Sequence, residues 1–312
     1  MCAMLAPQRV RPFELKTTRM AAHELGDNVF ALMPAGEEDH DHTATTGGFV
    51  IGSRCVLMIE SLSTGRLASE AIAAVRARTM LPIRYLVNTS FHSDHWFGNF
   101  VFPAETVVIA HPRTKHVLEE QFENERDNME AFLGYRPGSH EAVSRPVDVT
   151  VPDEIAVDLG GVDVSVRYIG YIQTEGDLAV KVPSANVVFV GNALPGPPPA
   201  FHWVFDGRID ETIASTKRFC ASLDDETTIV PGHGKPIRRS DVDYSLGYLR
   251  KLQALVGECV AAGFDLPATL ERARMDEYSN YSCYELAHFR VNVPGAFADA
   301  AKKRAGGGSE QL

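Results

Sequence analysis

Asn88-Thr89-Ser90-Phe91-His92-Ser93-Asp94-His95-Trp96-Phe97-Gly98-Asn99 follows the apolar run Ile83 to Val87, which reads as a buried strand. His92, Asp94 and His95 put two imidazoles and a carboxylate close together at the end of that strand. An Asp-His pair there, with Gly98 three residues on, suits a metal ion held above a sheet edge. Imidazole and carboxylate are borderline-hard donors that suit zinc, iron or manganese. The plainer alternative is a polar turn whose histidines are solvated or cap the next helix.

Upstream, Asn28 to Met33, Gly48 to Gly52 and Cys55 to Glu60 read as strands, and Arg66 to Met80 as a helix. Residues 1–20 carry little pattern. Downstream, Val107 to Ala110 is a short buried strand, and Thr114 to Leu133 is helix-compatible with Glu119 to Arg126 as a solvated face. Tyr135 to Arg145 reads as a surface loop. Segments 154–159, 163–169, 178–182 and 187–191 read as a second set of strands. A helix over Asp210 to Leu223 and a last strand, Thr228 to Val230, follow. Asp241 to Gly263, Leu266 to Met275 and Ser282 to Ala301 have helical spacing.

Three further strand ends carry polar side chains: Gln173-Thr174-Glu175-Gly176-Asp177, Phe189-Val190-Gly191-Asn192 and Pro231-Gly232-His233-Gly234. Taken in order with the first stretch, they resemble the metallo-β-lactamase superfamily. Its signature, His-x-His-x-Asp-His, stands here as Ser90-Phe91-His92-Ser93-Asp94-His95. Its usual His-Thr-x-Gly-Asp stands as Gln173 to Asp177, its Gly-Asp as Gly191-Asn192, and its Pro-Gly-His-Gly is intact. The resemblance implies an α+β fold, a four-layer αββα sandwich with a C-terminal helical extension. On this reading residues 1–22 are a lead-in, 23–240 the sandwich, 241–302 the extension and 303–312 a flexible tail.

The resemblance also assigns ligands. One metal of the usual pair would take the positions of Ser90, His92 and Gln173, where one imidazole of three remains. The other would take Asp94, His95 and His233, which all survive. The bridging carboxylate is Asn192, a neutral amide able to lend a carbonyl oxygen as a weak fourth ligand. The expectation is one divalent metal, zinc first and iron or manganese as alternatives, on Asp94, His95, His233 and Asn192. Catalytic roles then fall to Asp94, to His92 as a general acid or base near a metal-activated water, and to Tyr171 as an oxyanion or proton donor. A pocket-wall His92 and a core Tyr171 are the plain alternatives. Glu60 is expected to orient His92 or His95 through a ring N–H. His40 and His42 in an acidic loop, and His202 in a Pro-rich loop, are further pocket candidates. His111, His116, His140 and His288 read as surface or helix residues.

Composition narrows the classes. The chain has 312 residues and a formal net charge of −11, with no basic block, which argues against a nucleic-acid or anionic-membrane surface. No apolar run approaches the roughly 20 residues that span a bilayer. The five cysteines are scattered, without a C-x-x-C pair, and read as free thiols in a reducing, cytoplasmic setting. No secretory segment is visible over Met1 to Lys16. That argues against a secreted β-lactamase. Ser90 and Gln173 replace the histidines a persulfide-dioxygenase-type iron site would need.

The expected partner is a small-molecule substrate, and a homodimer is compatible with the sequence. The leading expectation is a mononuclear hydrolase of an ester, thioester or lactone. A cyclase, lyase or isomerase acting on a polyketide-like or aromatic metabolite is the alternative, with Trp96, Phe97, Phe201 and Trp203 as an aromatic mouth. A metal-free pseudoenzyme is the third reading.

Overall fold

The computed structural model describes residues 19–35, 45–133 and 139–307. The acidic loop with His40 and His42, most of the lead-in, residues 134–138 and the last five residues lie outside the described residues. A first antiparallel run, β1 (Met20–Gly26), β2 (Val29–Pro34), β3 (Gly47–Ile51) and β4 (Val56–Ile59), leads to helix α1 (Gly65–Arg76). Strand β5 (Ile83–Asn88) carries the signature stretch at its end. It is followed by β6 (Val107–Ala110), α2 (Pro112–Glu120), α3 (Phe122–Leu133) and β7 (Val149–Thr150). These seven strands form one sheet in chain order, and β4 to β7 run parallel.

The second sheet has β8 (Glu154–Asp158), β9 (Asp163–Tyr168), β10 (Leu178–Val182), β11 (Val187–Gly191) and β12 (Thr228–Pro231), in the order β12-β11-β10-β9-β8. Helix α4 (Ile209–Ala221) crosses over from β11 to β12, whose pairing is parallel. The C-terminal extension comprises α5 (Val242–Ala261), α6 (Leu266–Arg272), the short α7 (Tyr284–Leu286) and α8 (Val293–Gly307).

The two-residue period of the strands explains the layers. In β2, Val29 and Ala31 face the second sheet, whereas Phe30 and Leu32 face the helices; in β4, Leu57 and Ile59 face inward, Val56 and Met58 outward. In β11, Val187 and Phe189 join the inter-sheet core, and Val188 and Val190 pack under α4 and α5. Strands covered on both faces read as continuous apolar runs rather than alternating ones, hence their legibility. Leu67, Ala68, Ala71 and Val75 of α1 cover the outer face of the first sheet. The result is the expected αββα sandwich with helices beyond it.

Three expectations need correction. Met20 to Gly26 is a strand paired with β2, so the sheet begins inside the lead-in expected over residues 1–22 and continues through residues the sequence left unassigned; its half-buried, mixed composition hid it. The helix expected over Thr114 to Leu133 breaks at Gln121 into two. The helix expected over Ser282 to Ala301 contains a π-helical segment, Ala287–Asn292, between α7 and α8. No helix among the described residues is long and apolar enough to cross a membrane.

Candidate metal centre

The site sits at the carboxyl ends of β5, β11 and β12, where loops leave the sheets. After β5 the chain makes a short 3-10 turn over Ser93–His95. That turn presents Asp94 and His95 together. His233 follows β12 and forms an antiparallel bridge with Thr45. Thr46 N–H donates to the Gly232 carbonyl (2.7 Å), and Gly232 N–H donates to that of Gly191 (2.6 Å). Three distant parts of the chain are thereby locked into one rim. Gly191 permits this: its φ is +51°, and a Cβ there would lie 1.8 Å from Thr89 Oγ1.

Asp94, His95 and His233 bring one donor atom each within 4.8 Å of one another, the one such group among the described residues. Asp94 Oδ2 lies 3.3 Å from His233 Nε2 and 3.7 Å from His95 Nε2. The His95 and His233 rings are 5.5 Å apart and nearly perpendicular. His95 is wholly buried, and its Nε2 has no hydrogen-bond partner. Its Nδ1 faces Glu60 Oε1 at 3.3 Å. This places Nδ1–H toward the carboxylate and aims the Nε2 lone pair at the cluster, as in carboxylate–histidine–metal arrangements. Burial pushes His95 down, but Asp94 and Glu60 outweigh it and raise its pKa to about 9. A proton and a cation compete for that position. An orphaned imidazole nitrogen beside a carboxylate fits a divalent metal.

Sequence reading did not single out Thr45. Its hydroxyl contacts the Asp94 carbonyl (2.8 Å) and Oδ2 (3.1 Å), which fixes the carboxylate. Glu60 is anchored in turn by the Thr89 hydroxyl and the Thr89 N–H. It holds φ at +63°, a strained position for a side-chain-bearing residue at the rim.

The other half of the site differs. The Asn192 amide nitrogen lies 3.0 Å from His92 Nδ1. Because that nitrogen only donates, Nδ1 accepts and His92 carries its proton on Nε2. Burial lowers the His92 pKa to about 4, with Asp94 opposing and the two neighbouring histidines reinforcing. His92 is thus a neutral N–H donor. Ser90 is fully buried. Gln173 is 8% exposed, and its Oε1 has no partner. Its loop is shaped by Asp177, whose carboxylate accepts from the N–H groups of Ile172, Gln173 and Thr174.

Tyr171 is buried, with the Arg208 guanidinium 4.1 Å above its ring. Burial raises its phenol pKa, so it keeps its proton. Arg208 and Arg113 both pair with Glu175 at 3.0 Å, tying this loop to α2. Glu125, expected on a solvated face, instead accepts from Ser93 N–H. Burial, with Asp94 and Asp206 adding, pushes it to about 8.

The expected aromatic mouth is differently built. Trp96, Phe97 and Phe201 are core residues. The rings beside His92 are Phe91 and Phe205, at 5.3 and 5.2 Å, and Trp203 stacks on Phe205. His202 does not line the pocket. It is 2% exposed, with Nδ1 2.6 Å from Ser245 Oγ. Asn292 donates to its carbonyl (2.8 Å) and to the Tyr248 hydroxyl (3.0 Å). Tyr248 reaches His288 Nδ1 at 2.9 Å. His288, expected at a surface or on a helix, is completely buried in this network at the π-helical segment. His111 caps α2 by accepting from Arg113 N–H.

The sequence profile of the metallo-beta-lactamase superfamily matches residues 43–233. Among solved structures, a metallo-beta-lactamase from Pontibacter korlensis superposes with a TM-score of 0.59 at 15% identity, over 74% of this chain and 99% of that one. One from Erythrobacter litoralis gives 0.56 at 16%, over 75% and 97%. The stereoselective inverting sec-alkylsulfatase from Pseudomonas sp. gives 0.63 at 14%, over 90% of this chain and 50% of that one. These likenesses show a shared fold.

Proposed function

This chain belongs to the metallo-beta-lactamase superfamily, whose members are mostly metal-dependent hydrolases, and we propose that it hydrolyses an ester, thioester or lactone with a single divalent metal. One observation carries the reading: Asp94, His95 and His233 converge within 4.8 Å around an unpartnered imidazole nitrogen, while Ser90 and Gln173 stand where the partner site would need imidazoles. Asp94, His95 and His233 would hold the ion, and their mixed imidazole–carboxylate set suits zinc. When bound, such an ion lowers the pKa of water toward neutrality and polarises a carbonyl.

The chain's own residues supply the rest. Thr45 and Glu60 fix the orientation of Asp94 and His95, so little reorganisation is needed on binding. His92, held by Asn192 with its proton on Nε2, donates to a substrate oxygen rather than acting as a base. Asn192 offers its carbonyl as a weak fourth ligand. Tyr171, kept protonated by burial beneath Arg208, is suited to donating a hydrogen bond rather than to acting as a base.

The test is a panel of nitrophenyl esters, acyl thioesters and lactones with zinc-, iron- and manganese-loaded protein. Turnover of one class, lost in Asp94→Ala, is expected. A metal-bound protein inert toward all three classes would overturn the hydrolase reading. The second reading, a cyclase, lyase or isomerase for an aromatic metabolite, draws on Phe91 and Phe205 against His92. It gains if aromatic polyketone analogues bind while esters are left intact.

A further inference from the structure

Asn292 ends the π-helical segment Ala287–Asn292, a geometry that is rare and recurs at functional sites. Its buried amide clamps the loop after β11. Oδ1 accepts from Val204 N–H (2.6 Å), and Nδ2 donates to the His202 carbonyl (2.8 Å). A side-chain amide thus pairs with the backbone on either side of Trp203, as a neighbouring strand would. Burial alternates along this loop: His202 and Val204 are buried, Trp203 and Phe205 half-buried. Trp203 stacks on Phe205, and Phe205 meets the His92 ring edge-on with centroids 5.2 Å apart.

Hydrogen-bond roles fix which way the amide faces. His288 Nε2 lies 2.8 Å from the Ala273 carbonyl, which only accepts, and burial keeps this imidazole neutral. Nε2 therefore carries the proton and Nδ1 accepts. The Tyr248 hydroxyl donates to Nδ1 (2.9 Å), which leaves it to accept from Asn292 Nδ2 (3.0 Å). The chain of donors runs from the end of α6 to the loop with every proton assigned. The extension holds the same loop at three further points. The Phe201 ring stacks on that of Tyr248, centroids 3.9 Å apart. Trp203 Nε1–H donates to the Tyr281 hydroxyl (3.4 Å). A Cβ on Gly295, in the first turn of α8, would lie 2.3 Å from the Val204 carbonyl oxygen, so glycine lets that helix sit directly on the loop.

We propose that Asn292 is a positioning residue that sets substrate specificity: from the C-terminal extension it fixes the loop whose Phe205 packs against His92, and that ring, stacked with Trp203, receives a flat aromatic group of the substrate. Half-buried rings keep apolar surface for a ligand, and ring-on-ring contact adds to simple burial. Asn292 supplies no metal ligand and acts through the loop. The inference deepens the proposed function and rests on it, in that the substrate lies at the metal site.

The experiment reads binding rather than turnover. Zinc-loaded wild-type protein and its Asn292→Asp variant are titrated calorimetrically with benzoate and with cyclohexanecarboxylate, acids alike in charge and similar in size. Asn292→Asp keeps the acceptor for Val204 and removes the donors to His202 and Tyr248. Wild-type protein should bind benzoate about fivefold tighter, the order an aromatic pair supplies. The ratio should fall to about one in Asn292→Asp with bound zinc unchanged, and Phe205→Leu should reproduce that fall with Asn292 intact. A wild-type ratio near one, or a ratio that survives in Asn292→Asp, overturns the proposal. Zinc lost together with the preference also overturns it, because Asn292 would then support the whole site rather than the loop. Should Asn292→Asp fail to fold, Tyr248→Phe removes only the hydroxyl that orients the amide, and the ratio should still fall about twofold or more; an unchanged ratio there counts against the proposal equally. A ring preference lost in Asn292→Asp, in a protein inert toward every ester, thioester and lactone, would sink the hydrolase reading alone.

Discussion

Glu60 Oε1 lies 3.3 Å from His95 Nδ1, with both side chains buried and the Thr89 hydroxyl bonded to the same carboxylate oxygen. The pair sets which imidazole nitrogen faces Asp94 and His233. Glu60→Gln keeps the shape but removes one of the two carboxylate charges, beside that of Asp94, that make His95 basic. Metal affinity should fall by roughly 10–100-fold, the usual cost of such a change. Competition with a chromogenic chelator reads it, beside a thermal melt to show that the fold survives.

His92 pairs with the Asn192 amide and is not among the three residues whose donor atoms converge. His92→Ala should therefore keep its metal content and lose turnover, by roughly 10²–10⁴-fold if the imidazole supplies a proton in the transition state. Elemental analysis and kinetics on one preparation separate the two effects. Loss of metal in this variant would make His92 a ligand.

Gly191 holds φ at +51° where a Cβ would meet Thr89 Oγ1 at 1.8 Å. Gly191→Ala combines a left-handed backbone with a clash against the residue that anchors Glu60. It should destabilise by roughly 2–4 kcal/mol in urea melts, and it should weaken metal binding because Thr89 must move.

His202 is buried against Ser245, and burial lowers its pKa from 6.5 to about 4. The unfolded chain takes up this proton near pH 6.5 and the folded chain does not until about pH 4. The contribution is therefore fully present above pH 6.5 and lost as the pH falls through that window, in total about 3 kcal/mol by linkage. His288, also lowered by burial, adds in the same direction. Melting temperature should drop between pH 6.5 and 4, and His202→Asn should be less stable at neutrality with a shallower pH slope. An equally steep slope in the variant would place the acid sensitivity elsewhere.

The parts of this molecule that could be read from sequence are local. Four strand ends with distinctive polar residues identified the fold. Asp94, His95 and His233 were singled out because each sits in a short motif, and the structure brings them together. What sequence hid is long-range. Thr45 reaches Asp94 across 49 positions, and Val204 N–H meets Asn292 across 88. No local pattern signals either. Glu125 looked like one charge in a solvated run, yet the break at Gln121 turns α3 so that its carboxylate meets Ser93. Trp96, Phe97 and Phe201 looked like a pocket mouth but fill cores, while Phe205 gave no signal beside its more conspicuous neighbour Trp203.

The central claim is a single metal on Asp94, His95 and His233. Metal content by plasma emission, on protein purified without chelator and beside a His233→Ala control, tests it most directly. The account predicts about one equivalent in the wild type, lost in the variant. Two equivalents, or one that persists in His233→Ala, would contradict it, and so would protein that holds no metal and gains no thermal stability from zinc, iron or manganese.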